Sequence, residues 1–245
     1  MNKDYMVLSN TCIAYKTYEM KLKGDTSQIQ KPGQFINIRI DDSYTTFLRR
    51  PISIASYKEN EITIIYKVFG EGTKKLSEKR LFDTLDILCP LGNGFDTSVS
   101  QKKALLIGGG IGVPPLIGVA QELHQLGIPF DVVLGFNNEH DVFSTGIFSS
   151  LADKVYVTTM DGTFGYKGNV LDIIKSKQKQ NDSMITIEKA EDHPTFYAFG
   201  NYALHKDNSA SLDDTLDWVA GVGVKYKFLS RSGRDEKIAA AKMLK

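Results

Sequence analysis

Ala104-Leu-Leu-Ile-Gly-Gly-Gly-Ile-Gly-Val-Pro-Pro-Leu116 runs from apolar residues into glycines and then prolines, the order of a strand, a tight turn and a helix start. Glycines let a backbone approach a ligand closely, and a helix N-terminus offers N–H groups and a positive dipole end to a phosphate. Pro114 and Pro115 suit the first helical positions, where a missing N–H costs nothing. Some fifty residues upstream lies Arg49-Arg-Pro-Ile-Ser53. The two segments together suggest two nucleotide-like ligands bound side by side.

Outward from this turn the chain divides near residue 100. Before it, Gln34–Ile40 alternates and Glu61–Val68 is rich in β-branched residues, with Gly and Asp clusters between them. Short strands at this spacing predict a small closed antiparallel barrel, interrupted by a helix around Thr73–Lys79. After it comes a strand at Ala104–Ile107, a helix at Pro115–Leu126 and a strand at Phe130–Phe136. Further strands are read at Lys154–Thr159 and Thr195–Gly200, with a helix at Val170–Lys177. Alternation of strand and helix predicts a Rossmann-like parallel sheet with helices on both faces. Asn208-Ser-Ala-Ser reads as loop, Asp213–Val219 is ambiguous, and Asp235–Leu244 reads as a terminal helix. The resulting division is 1–100 barrel, 101–205 α/β domain and 206–245 divergent C-terminal segment.

Composition sets the frame. The 245 residues are 42% hydrophobic and 24% charged, with a formal net charge of +1, so nothing draws the whole chain to nucleic acid or an anionic membrane. No apolar run approaches a membrane-span length, and Met1-Asn-Lys-Asp-Tyr5 is not a signal peptide, which makes a cytoplasmic location the expectation. The only cysteines, Cys12 and Cys89, lie far apart, which argues against a disulfide scaffold or a local cysteine metal site.

A barrel carrying Arg-Pro-x-Ser, then Gly70-Glu-Gly-Thr73, Pro90-Leu-Gly-Asn-Gly-Phe95 and a glycine turn opening an α/β domain resembles the ferredoxin-reductase superfamily. Within it, Arg49–Ser53, Gly108–Pro115 and Asp161-Gly-Thr-Phe-Gly-Tyr-Lys-Gly168 are most similar to the electron-transfer subunit of NAD-linked (type B) dihydroorotate dehydrogenase. The similarity runs in consistent order from about residue 5 to 200. It implies FAD on the barrel and NAD(H) on the α/β domain, with electrons passed to a partner flavoprotein subunit.

Under that resemblance Arg50 makes a bidentate contact to a pyrophosphate, and Ser53 hydrogen-bonds the flavin ring while Pro51 and Ile52 hold the strand against it. Gly70, Gly72 and Thr73 offer amides and a hydroxyl to a phosphate. Taken alone, Arg50 reads equally as a surface ion-pair partner, and Gly70–Thr73 as a plain turn. Gly108, Gly109, Gly110 and Gly112 face the nicotinamide dinucleotide, as do Phe199 and Gly200 in Tyr197-Ala-Phe-Gly-Asn201. The ribose is read near Phe136–Asp141, where no Arg or Lys awaits a 2′-phosphate and Glu139 and Asp141 offer carboxylates to a 2′-hydroxyl, favouring NADH over NADPH. His140 reads as a surface residue. Two juxtaposed rings need no dedicated acid or base, so no catalytic residue is expected.

The C-terminal part departs from this family. Its members hold a [2Fe–2S] cluster with four cysteines, three in a Cys-Gly-x-Gly-x-Cys-x-x-Cys loop. Here Ala220-Gly-Val-Gly-Val-Lys-Tyr-Lys-Phe228 keeps the glycines, while Ala220, Lys225 and Phe228 stand where thiolates would be. Cys12 and Cys89 cannot supply four thiolates, so no cluster and no metal is expected. Relatives carry Cys where Phe199 stands, and its ring either narrows the nicotinamide pocket or packs as core. Besides a cluster-less electron-transfer subunit, three readings stay open: a stand-alone NADH:flavin or diaphorase-type reductase, a degenerate nucleotide-binding regulatory or scaffolding subunit, and an altered tail on an otherwise ordinary subunit.

Overall fold

The computed structural model describes residues 2–41, 47–97, 103–174, 195–204 and 216–225, the last two stretches as backbone alone. Six strands form the first unit: β1 (Asn2–Ala14), β2 (Thr17–Lys23), β3 (Phe35–Ile38), β4 (Arg50–Lys58), β5 (Glu61–Lys67) and β6 (Thr84–Leu91). They close in the order β1-β2-β5-β4-β3-β6, with β6 pairing back on β1 and every pairing antiparallel. Alternation sends one side chain in two inward. Tyr5, Val7, Met20, Leu22, Ile36, Ile38, Ile52, Ile54, Ile62, Ile64, Leu85 and Ile87 fill the barrel.

Between β5 and β6 sits α1 (Glu71–Ser77). It begins two residues before the expected start at Thr73. The Thr73 hydroxyl accepts from the Phe69 and Gly70 N–H groups at 3.0 and 3.3 Å, so the turn closes one step earlier.

The second unit is a parallel sheet ordered β10-β9-β8-β7, from β7 (Ala104–Gly109), β8 (Phe130–Phe136), β9 (Lys154–Thr159) and β10 (Tyr166–Lys167). A single 3₁₀ turn over Gly110–Gly112 leads from β7 into α2 (Pro114–Gln125), and α3 (Thr145–Leu151) precedes β9. Sequence patterning had not marked α3. It is seven residues long, and its N-cap Ser144 takes a left-handed conformation and makes no side-chain cap bond. Helix also covers 170–174, while the rest of the expected Val170–Lys177 helix and the Asp235–Leu244 helix lie outside the described residues. β11 (Thr195–Leu204) and β12 (Leu216–Lys225) form a separate antiparallel pair, with β11 running near β7. The ambiguous Asp213–Val219 segment thus enters a strand at Leu216.

The two units share a core. Ala55 on β4 and Ile65 on β5 point out of the barrel and join Val113, Leu116, Ile117, Val119, Ala120 and Leu123 of the segment opening and forming α2. At Gly118 an added Cβ would lie 3.2 Å from the Ala55 carbonyl, so helix and strand touch almost backbone to backbone. β4 begins with Arg50–Ser53 and α2 begins at the glycine turn, so this contact sets the two sequence motifs beside one another. No helix among the described residues is long and apolar enough to cross a membrane.

Candidate functional site

Arg50 and the Gly70–Thr73 segment, twenty residues apart in sequence, meet at the barrel's end. A Cβ on Gly72 would stand 2.5 Å from Arg50 Nε and 2.9 Å from Cζ, so the guanidinium lies directly over the first turn of α1. Only glycine admits that approach. A Cβ on Gly70 would meet nothing within 4 Å, which leaves the helix entrance open. The Lys74 N–H is already bonded to the Gly70 carbonyl, while the first-turn amides before it have no helical partner. The Thr73 hydroxyl is committed to this turn, donating to the Gly70 carbonyl at 3.1 Å besides its two accepted bonds. Its part is to shape the entrance, over which the Arg50 guanidinium lies.

Arg49 has a different role. Its NH2 group lies 2.6 Å from Asp86 Oδ2 and its NH1 donates to the Asp86 carbonyl at 2.9 Å, pinning the entry of β4 to β6. Along β4, Pro51 lies opposite Asn37 and Ser53 opposite Phe35 on the barrel's outer surface. Ile52 points into the barrel core, so it reaches that outer surface through its backbone alone. Asn37 was not marked by sequence. Its Oδ1 is buried and has no hydrogen-bond partner among the described residues.

At the glycine turn, Gly110 has φ +50°, a conformation that favours glycine. Gly108 carries β7 against α2, since an added Cβ would lie 2.7 Å from Leu116 Cδ1. The expectation of free amides at the start of α2 needs correction. Pro114 and Pro115 have no N–H, and the Leu116 N–H donates to the Val113 carbonyl at 3.0 Å. Gly109 ends β7, and Gly110 and Gly112 lie in the turn itself, ahead of the prolines.

The ribose reading divides likewise. Asp141 is buried and its Oδ1 lies 2.6 Å from Lys67 Nζ of the barrel, so it is not available to a 2′-hydroxyl. Glu139 is exposed, and its N–H donates to Thr163 Oγ1 of the neighbouring loop at 2.9 Å. His140 is exposed, as expected. Within the Asp161–Gly168 loop, Asp161 Oδ1 accepts from the Thr163 N–H (3.0 Å) and hydroxyl (2.7 Å). The Thr163 backbone bond, foremost, holds this carboxyl below the usual range. Phe199 and Gly200 lie in β11 opposite Gly221 and Ala220; their side-chain surroundings fall outside the described residues.

A closed antiparallel barrel joined to a parallel nucleotide-type sheet, with an arginine over one helix start and a glycine turn at another, defines the ferredoxin-reductase class of flavin and nicotinamide proteins. Solved structures agree. The NADH-dependent reduced ferredoxin-NADP oxidoreductase matches with TM-score 0.60 and 30% identity over 67% of this chain and 62% of its own. Ferredoxin-NADP+ reductase from Plasmodium falciparum matches with TM-score 0.62 over 73% and 81%, at 12% identity, a likeness of fold. No family model matches the chain. Curated relatives carry it further. The dihydroorotate dehydrogenase B (NAD(+)) electron transfer subunit of Bacillus pumilus is 47% identical over 243 residues, 97% of this chain and 92% of that protein. The one of Fusobacterium nucleatum is 39% identical over 230 residues, 91% and 87% respectively. The chain belongs to the family of dihydroorotate dehydrogenase B electron transfer subunits.

Proposed function

We propose that this chain carries electrons between NADH and a partner flavoprotein catalytic subunit by way of FAD, and does so without an iron–sulfur cluster. The observation that carries the reading is the placement of Arg50 over Gly72 at the open entrance of α1. A guanidinium beside unpaired first-turn amides suits the pyrophosphate of FAD. Ser53 supplies a polar partner on the strand face beyond it. Exposed Leu48 and Phe69 flank Arg50 and Gly70 in the chain and offer apolar surface for the rest of a flavin nucleotide. NADH is assigned to the glycine turn, with Phe199 and Gly200 on its far side. Bound flavin would supply the redox chemistry; the protein holds, orients and shields the two nucleotides. The sequence holds two cysteines, too few for a four-thiolate cluster. The partner then takes electrons from the flavin-bearing chain directly. The division into barrel 1–100, nucleotide domain 101–205 and segment 206–245 is part of the same reading.

A visible spectrum of the purified protein before and after anaerobic NADH tests it. The yellow absorption of oxidised flavin, lost on adding NADH, supports the reading. A protein that is colourless and takes up no added FAD overturns it and favours the nucleotide-binding scaffold. A flavin band that NADH does not bleach points to the nicotinamide side and Phe199.

Coenzyme choice gives a sharper check. With Asp141 committed to Lys67, Glu139 is the remaining ribose carboxylate of that turn. Glu139→Ala raises KM for NADH roughly tenfold, about 1.4 kcal/mol, and leaves that for NADPH equal or lower because a 2′-phosphate no longer meets a like charge. Equal effects on both coenzymes in steady-state assays remove Glu139 from the ribose site.

A further inference from the structure

Separate contacts tie the barrel to the short turn that follows β8. Lys67, the last residue of β5, pairs with Asp141 at 2.6 Å, and the two side chains are only 20% and 9% exposed. The Tyr15 N–H, at the tip of the β1–β2 hairpin, donates to the His140 carbonyl at 2.8 Å. The same tip grips the strand end that bears the lysine, since the Val68 N–H donates to the Lys16 carbonyl at 2.7 Å. The Tyr15 ring lies 5.9 Å from the Lys67 ammonium, within range of a cation–π attraction. Three chain segments therefore meet at one point.

What they lead to gives the junction its meaning. Lys67-Val-Phe-Gly70 runs straight from this ion pair into α1, whose entrance lies under Arg50. On the other side, Asp141 ends the turn that displays Glu139. A largely buried ion pair gains little net stability over apolar replacements, because desolvating both charges cancels most of the attraction. It does fix geometry, and a ring-to-ring reaction is sensitive to displacements of about 1 Å.

We propose that the Lys67–Asp141 pair, with the Tyr15–His140 hydrogen bond, is a positioning brace that sets the nicotinamide nucleotide against the flavin nucleotide. It does so by fixing the 137–141 turn to the strand end that feeds α1. This rests on the two-cofactor reading above and adds to it the device that aligns the two sites. Lys67 and Asp141 touch neither nucleotide in this account; they act through the segments they join.

The test uses the full chain, its Asp141→Asn variant, and the double variant Lys67→Met/Asp141→Asn, which removes both charges and leaves neither stranded. FAD affinity is read by fluorescence titration, and flavin bleaching by stopped-flow at saturating NADH. The brace predicts FAD affinity within about twofold of wild type in both variants, bleaching slowed roughly tenfold or more, and a weakened long-wavelength charge-transfer band between NADH and flavin. Hydrogen exchange at the Tyr15 amide should quicken in parallel. A flavin-loaded variant with wild-type bleaching and an unchanged charge-transfer band overturns the brace while leaving the two-cofactor reading intact. A wild-type chain that binds no FAD overturns both, before any variant is compared.

Discussion

Arg50→Met yields a folded protein that has lost its flavin: FAD affinity falls by roughly a hundredfold, about 2.7 kcal/mol. Hydrogen bonds to a charged group contribute about 1.5–3 kcal/mol each, and a guanidinium on a pyrophosphate makes more than one. Folding is spared because Arg50 does little for the barrel. Among the described residues its side chain donates to the Leu48 carbonyl and meets no carboxylate. Arg50→Lys does not restore affinity, since an ammonium cannot reproduce the planar fork. Gly72→Ala produces the same loss from the opposite side. Its Cβ would sit 2.5 Å from Arg50 Nε, and the flexible guanidinium would swing away from the helix entrance. Arg49→Met behaves differently, lowering the melting temperature because it removes the bonds from β4 to the Asp86 carboxylate and carbonyl and leaves that carboxylate, among the described residues, only Arg39 at 3.9 Å. Fluorescence titration with FAD and thermal melts of the flavin-free chain separate the two arginines. An Arg50→Met protein that binds FAD within threefold of wild type removes the arginine from the site.

That contrast marks where sequence stopped being legible. Glycines and prolines announce the β7–α2 turn because their conformational needs are local, and the β-branched residues of Glu61–Val68 show a strand because they pack well on a pleated surface. Barrel, sheet and their order in the chain follow from such local rules. That Arg49 is held by a carboxylate does not. It depends on β3 and β6 placing Asp86 within reach of Arg49. Asp141 was read as a ribose ligand for the same reason: its partner Lys67 lies 74 residues away on another unit, and the carboxylate alone carries no trace of it. Glu139 and Asp141 look alike in sequence, and burial against the barrel separates them. The free amides expected at α2 failed more simply, since the prolines that signal a helix start also remove its donors.

Asn10 carries the second large effect, on stability. α1 has seven residues, too few to hold itself, so packing must supply its order. Leu76 is fully buried beneath it, and at its far end Asn10 Nδ2 lies 3.0, 3.2 and 3.1 Å from the carbonyls of Leu76, Ser77 and Lys79. The Tyr66 hydroxyl donates to Asn10 Oδ1 at 2.8 Å and so turns the amide nitrogen toward the helix. Burial pushes the Tyr66 hydroxyl far above its ordinary pKa, so it stays a donor across the working pH range. Asn10→Leu keeps the shape and removes every one of these bonds, leaving a buried hydroxyl and the Ser77 and Lys79 carbonyls short of a partner, while the Leu76 carbonyl keeps the Lys79 N–H. The cost is about 2–3 kcal/mol, a drop of roughly 5–10 °C in melting temperature. Tyr66→Phe loses one partner only and costs about 1 kcal/mol. Flavin affinity follows α1: Asn10→Leu weakens it by less than tenfold, because Arg50 and the first-turn amides are still present but less well held. Arg50→Met and Asn10→Leu therefore separate in opposite senses, one losing flavin at full stability and the other losing stability at nearly full affinity. If Asn10→Leu melts with wild type, α1 is held by the burial of Leu76 and by the Lys75–Asp41 ion pair, and Asn10 has no part in it.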